Sequence, residues 1–238
     1  MLKKLPQNLL SLLNLEIRMI LRNKKPLNNL YQILIIYILS VLAFNYTQNN
    51  PFNNSLFFFM VVSLLSSSFI LGHGIFMLTW ESTYFSFLLT RKISINNFFR
   101  AKLCLFIISS ILFSFISVPI IIICGGNVLL YLSFLIFNIG LIPILLESVS
   151  FFNNERASLD RGIFFNYEGY GLWQYLLFVS ELMLPGIIYI VVSKYWSTSV
   201  ALLTLFIIGS VGMILLIFYP RLFFNKKKYN IIQGFNQK

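Results

Sequence analysis

Apolar residues run through this chain in long blocks separated by short polar interruptions, not in the alternating steps of a soluble fold. Six blocks, at about 27–46, 55–78, 103–124, 128–152, 172–193 and 198–219, each match the roughly 20 residues that a helix needs to cross a bilayer core. They predict an all-α membrane protein with six spans in a single membrane domain covering 1–238. Ahead of the first span, residues 5–25 read as an amphipathic helix at the membrane surface. There Leu13, Ile17, Ile20 and Leu21 follow the i, i+4, i+7, i+8 rule, and Asn14, Arg18 and Arg22 recur every four residues beside them. A solvated lead-in to the first span is the plainer alternative. Lys24, Lys25 and Pro26 end the segment.

The connections differ in kind. TQNNPFNN at 47–54 is uncharged and rich in turn formers, and Gly125-Gly126-Asn127 suits a tight turn. The polar stretch at 153–171 and the tail from Pro220 are charged. Ser63, Ser67, Ser68 and Gly72 put small residues on the second span, where a neighbouring helix can approach closely. Pro119, Pro143 and Pro185 each remove a helical hydrogen bond and predict kinks in spans three, four and five.

The connection at 79–102 stands apart. It carries Trp80, Tyr84, Phe85, Phe87, Leu88 and Leu89 on an apolar side, with Glu81 near its start and Arg91, Lys92, Arg100 and Lys102 following. A loop that only joins two helices has no use for so many aromatic and aliphatic residues. The segment reads as a contact surface.

Composition agrees with the pattern. Hydrophobic residues make up 58% of the chain, charged residues 11%, and mean hydropathy is +0.82, whereas a soluble domain is about a quarter charged. The net charge of +11 does not imply a nucleic-acid partner, because the cations sit at the ends of apolar runs. There they act as membrane-flanking anchors and attract anionic lipid headgroups. With the N-terminus placed in the cytoplasm, seventeen of the eighteen Lys and Arg residues fall on the cytoplasmic side and only Lys194 on the other. Both termini are therefore expected to be cytoplasmic. The first apolar stretch is broken by Asn8, Asn14, Glu16 and Arg18 and does not read as a cleavable signal. Cys104 and Cys124, if on one helix, stand about 30 Å apart, too far for a disulfide.

No phosphate loop, no H-E-x-x-H, no G-x-S-x-G and no Cys/His cluster at metal spacing is present, so no catalytic or metal site is expected. Intramembrane ionisable residues are the remaining polar candidates. His73, between Gly72 and Gly74, has a helix-packing reading, hydrogen-bonding a neighbour, and a substrate or proton reading. Glu181 lies mid-span: either a protonated or hydrogen-bonded structural carboxyl, or a polar group lining a path between helices. Glu147, nearer the cytoplasmic end, reads as interfacial and structural.

The order Glu81, Thr83, Leu88, Leu89, Thr90, Ile93, Ser94, Lys102 resembles the coupling helix between spans two and three in permease subunits of ABC-2-type transporters. Ser82 stands where that family has Gly, Lys92 where it has Pro, and the spacing to Lys102 is about one residue longer. LEIRMILRNKKP (15–26), WESTYFSFLLTRKIS (80–94), LDRGIFFNYEGYGLWQYLL (159–177) and KKYNIIQGF (227–235) also look like the C-terminal half of an uncharacterised bacterial family of longer permease-like proteins. The resemblance implies an ABC-2, type V exporter-like architecture in a bacterial cytoplasmic (inner) membrane. It also implies a non-enzymatic transport subunit that binds no cofactor of its own, ATP and Mg being held by separate ATPase subunits, two copies expected. A second permease, identical or homologous, would complete the assembly. By the same resemblance Trp80, Glu81, Thr83, Tyr84, Phe85, Leu88, Leu89, Thr90 and Arg91 would contact the ATPase. Two other classes remain open: a membrane scaffold that anchors partners through the same loops, and an intramembrane lipid enzyme built on His73, Glu147 and Glu181.

Overall fold

A computed structural model describes residues 9–49, 55–76, 79–81, 95–150 and 172–216. Among them there are helices and turns but no strand. α1 (Leu9–Arg22) is followed after Asn23 by α2 (Lys24–Gln48). Pro26 falls in the first turn of α2, where its missing N–H costs nothing. Then come α3 (Leu56–Gly74), a 3-10 turn at Thr79–Glu81, α4 (Ile95–Ile123), α5 (Val128–Ser150), α6 (Leu172–Tyr195) and α7 (Thr198–Leu216). Six of these are long and apolar enough to cross a membrane: α2, α3 with its continuation to Glu81, α4, α5, α6 and α7. The protein is a multi-pass membrane protein.

α3 is the axis of the bundle, packed by α2, α4, α5 and α6. It buries residues on every side, from Phe58 and Phe59 to Leu71 and His73. The outer helices show why. α2 turns Ile33, Tyr37, Ser40, Phe44 and Thr47 inward and leaves Leu34, Ile35, Ile38, Leu39 and Leu42 exposed. α4 buries Phe106, Ser110 and Ser117 and exposes Ile107, Ile111, Leu112 and Phe115. Large aliphatics cover the outside, and hydroxylated residues join the aromatic and aliphatic core on the inside, as a lipid solvent allows. Several buried hydroxyls bond back to their own helix: Ser40 donates to the Tyr37 carbonyl (2.7 Å), Thr47 to that of Phe44 (2.9 Å) and Ser67 to that of Ser63 (2.6 Å).

The turns follow their residues. Gly125 (φ 70°) adopts the left-handed conformation, its N–H bonding the Ile122 carbonyl (3.0 Å) and that of Gly126 the Ile121 carbonyl (2.8 Å), which closes the end of α4. Asn127 then caps α5, its Oδ1 accepting from the N–H groups of Leu129 (2.9 Å) and Leu130 (3.3 Å). Gly140 on α5 meets Gly209 and Gly212 on α7 backbone to backbone. A Cβ on Gly212 would stand 2.7 Å from the Gly140 carbonyl carbon.

The helices run through Pro119, Pro143 and Pro185. Cys104 and Cys124 are both free. Two boundaries differ from the sequence reading: Lys24, Lys25 and Pro26 open α2 and do not end the surface helix, and the start of α4 lies earlier. α4 begins at Ile95, so residues 95–102 are helical, and Phe98, Phe99, Ala101 and Lys102 are buried. The apolar run looked shorter because Arg100 and Lys102 interrupt it, but Arg100 is exposed and the charge of Lys102 is matched inside the fold.

Candidate functional site

The matching charges define the most unusual feature of the interior. Lys102 Nζ lies 2.9 Å from Glu16 Oε2 and also bonds Glu81 Oε1. The side chain of Lys102 is 3% exposed, that of Glu16 7% and that of Glu81 0%. The ammonium also stands 4.9 Å from the centre of the Phe98 ring, a cation–π contact. Glu16 comes from α1, Glu81 from the turn that follows α3, and Lys102 from the second turn of α4. Three elements far apart in sequence therefore close on one cation. The other Glu81 oxygen and the neighbouring Trp80 indole N–H have no hydrogen-bond partner.

An aromatic box adjoins this cluster. His73 stacks on Phe69 (centroids 5.2 Å apart) and meets Trp80 edge-on at 4.6 Å, while Trp80 stacks on Phe76 at 5.0 Å. Among the described residues, His73 is therefore surrounded by rings. Gly72 and Gly74 on either side of it let Ile33, Leu146 and Phe106 close in: a Cβ on Gly72 would meet Ile33 Cδ1 at 2.8 Å.

The end of α3 is fastened from two further sides. Asn29 of α2 donates to the Gly72 carbonyl (3.0 Å), and Gln174 of α6 donates to that of Ile75 (2.6 Å). These carbonyls lie where a helix runs out of its own donors, so the two amides complete it. The root of the 82–94 connection is thus tied to α1, α2, α4 and α6.

A second polar junction lies deeper, where α3, α5 and α6 meet. Asn138 Nδ2 donates to Ser66 Oγ (2.7 Å) and reaches the Ser63 carbonyl and Oγ at 3.4 Å. Ser63 Oγ in turn donates to the Glu181 carbonyl at 3.4 Å. Glu181 is buried, yet neither of its carboxyl oxygens has a hydrogen-bond partner. It does not meet His73 or the Lys102 cluster in any contact. Among the described residues no group of three or more His, Cys, Asp or Glu could hold a metal.

Of the residues expected to contact the ATPase, only Trp80 and Glu81 are described, and both are buried. Their side chains serve the interior of the fold and do not present an open surface. Thr83, Tyr84, Phe85, Leu88, Leu89, Thr90 and Arg91 lie outside the described residues. Glu147 is on α5, with its side chain outside the described part. Sequence reasoning missed Glu16 and Asn138. Glu16 was legible as an acid between Leu12 and Ile20, one helical turn from each. Asn138 was legible as a lone amide in an apolar run.

The chain belongs to a family of unknown function, DUF5687, whose profile matches residues 8–238. No curated protein and no solved structure matches it.

Proposed function

We propose that this chain is the membrane-spanning permease subunit of an ATP-binding-cassette transporter of the exporter type. ATP hydrolysis takes place in a separate ATPase that docks on the 79–91 segment through the residues after Glu81, at the cytoplasmic face. One observation carries the reading. The connection between α3 and α4 is rooted in a junction wired to four other elements through Glu81–Lys102–Glu16, Asn29–Gly72 and Gln174–Ile75. A permease driven by a separate ATPase must receive its mechanical work through a contact with that partner, and a stiff root converts a push on a short segment into movement of the helices around it. A flexible loop would absorb the push. Trp80 and Glu81 transmit in this scheme, and docking falls to the residues after them.

Further support comes from the coupling-helix resemblance of residues 81–102 and the absence of any phosphate loop in the sequence. Purification of the full chain in mild detergent tests the proposal: an ATPase with a phosphate loop is expected to co-purify, and Arg91→Glu is expected to weaken its retention while the chain still inserts. Stable partners with no ATPase among them would favour the scaffold reading instead.

A further inference from the structure

At the end of the bundle that carries the Lys102 cluster, Lys25 and Lys102 are buried, whereas the other described cations face outward. The described acidic side chains, Glu16, Glu81 and Glu181, are all buried. Arg18, Arg22, Lys24 and Arg100 are all exposed, and no acid among the described residues pairs with them.

α1 is divided into three sectors at about 100° per residue. Leu12, Glu16 and Ile20 face the bundle and are buried. Leu10, 78% exposed, and Leu21, 56% exposed, lie about three turns apart on one outward apolar strip, and Leu15, 43% exposed, lies beyond the arginines on the other side. Asn14, Arg18 and Arg22 lie beside that strip, also exposed. An apolar strip edged by arginines is what a helix presents to a leaflet: the strip enters the acyl boundary and the guanidiniums reach phosphate oxygens.

We infer that α1 is an anionic-phospholipid-binding element, with Arg18 and Arg22 engaging headgroup phosphates and the Glu16–Lys102 pair fixing the rotation of the helix that presents them. Connectivity sets the depth. α2, a membrane-crossing helix, starts at Lys24, two residues after Arg22, so both arginines are held near headgroup level. Lys102 has a second consequence. It withdraws into the bundle the one acid of α1, which at the surface would repel phosphate and compete for the arginines. A bilayer fits better than a nucleic acid, which offers nothing apolar to Leu10 and Leu21. The inference rests on the membrane placement of the chain and not on the permease reading.

The test uses the full chain in nanodiscs of phosphatidylcholine alone or with phosphatidylglycerol, following backbone hydrogen exchange across residues 9–22. Phosphatidylglycerol is expected to slow exchange in α1 by about 5-fold for each arginine at the surface, and 1 M salt to erase most of that difference. The double variant Arg18→Gln/Arg22→Gln is expected to lose the lipid dependence while matching the wild type in phosphatidylcholine. Glu16→Gln, which releases α1 from Lys102, is expected to speed exchange in both bilayers. Equal exchange of the wild type in the two bilayers would overturn the proposal, as would an undiminished phosphatidylglycerol response in the double variant. So would protection that appears only on adding an acidic protein or an oligonucleotide. No effect of Glu16→Gln in either bilayer would overturn the orienting role of the Glu16–Lys102 pair.

Discussion

Lys102 holds two buried carboxylates with one ammonium, and the energetic consequence is asymmetric. Removing one partner of a buried pair leaves the other charged and uncompensated, at about 3–5 kcal/mol. Lys102→Met strands both Glu16 and Glu81 and is expected to cost at least that much in unfolding measured in detergent. A loss below about 1 kcal/mol would show that the cluster contributes little. Glu81→Gln is expected to cost more than Glu16→Gln, because Glu81 is fully enclosed (0%) while Glu16 keeps 7% of its side chain exposed. Glu181 offers the contrast. Both its carboxyl oxygens lack partners, so an isosteric amide removes no interaction, and Glu181→Gln is expected to stay within about 1 kcal/mol of the wild type. A much larger loss would reveal a partner for the carboxyl.

At the scale of elements, α5 and α7 cross closely where Gly140, Gly209 and Gly212 allow backbone to approach backbone. Alanine at Gly140 or Gly209 meets main-chain atoms that have no rotamer to change, and is expected to cost about 1–3 kcal/mol. Ser210→Ala, on the exposed side of the same helix, is expected to change melting in detergent by less than about 0.5 kcal/mol. If all three variants melt alike, the close crossing is not what holds α7.

The spans were readable because a bilayer imposes one length and one solvent on every helix, so apolar runs alone mark α2, α3, α5, α6 and α7. α4 was readable only in part. Its first two turns hold Arg100 and Lys102, and nothing local says that Lys102 is neutralised by Glu16, 86 positions away. The buried face of α1, Leu12, Glu16 and Ile20, was not legible for the same reason: Glu16 reads as polar surface until its partner is known. His73 and Glu181, singled out in the sequence as intramembrane ionisable groups, are both buried. Their surroundings, rings for one and a serine–asparagine junction for the other, depend on which helices become neighbours, and span order does not give that.

For the molecule as a whole, the distribution of basic residues predicts its orientation. In a Cys104→Ala/Cys124→Ala background, cysteines at Arg22 and Arg100 are expected to react with an impermeant thiol reagent only after the membrane is opened. Cysteines at Asn49 and Trp196 are expected to react in intact cells. The reverse pattern would invert the protein and remove residues 79–94 from the cytoplasm, and with them the docking reading. That reading is tested most directly by placing a photo-crosslinker at Tyr84 or Leu88 in the full chain in its own membranes and identifying the adducts. The expected adduct at both positions is a phosphate-loop ATPase, retained when Glu16→Gln loosens α1 and diminished by Arg91→Glu. Adducts that contain lipid or other proteins but no ATPase would contradict the proposed function.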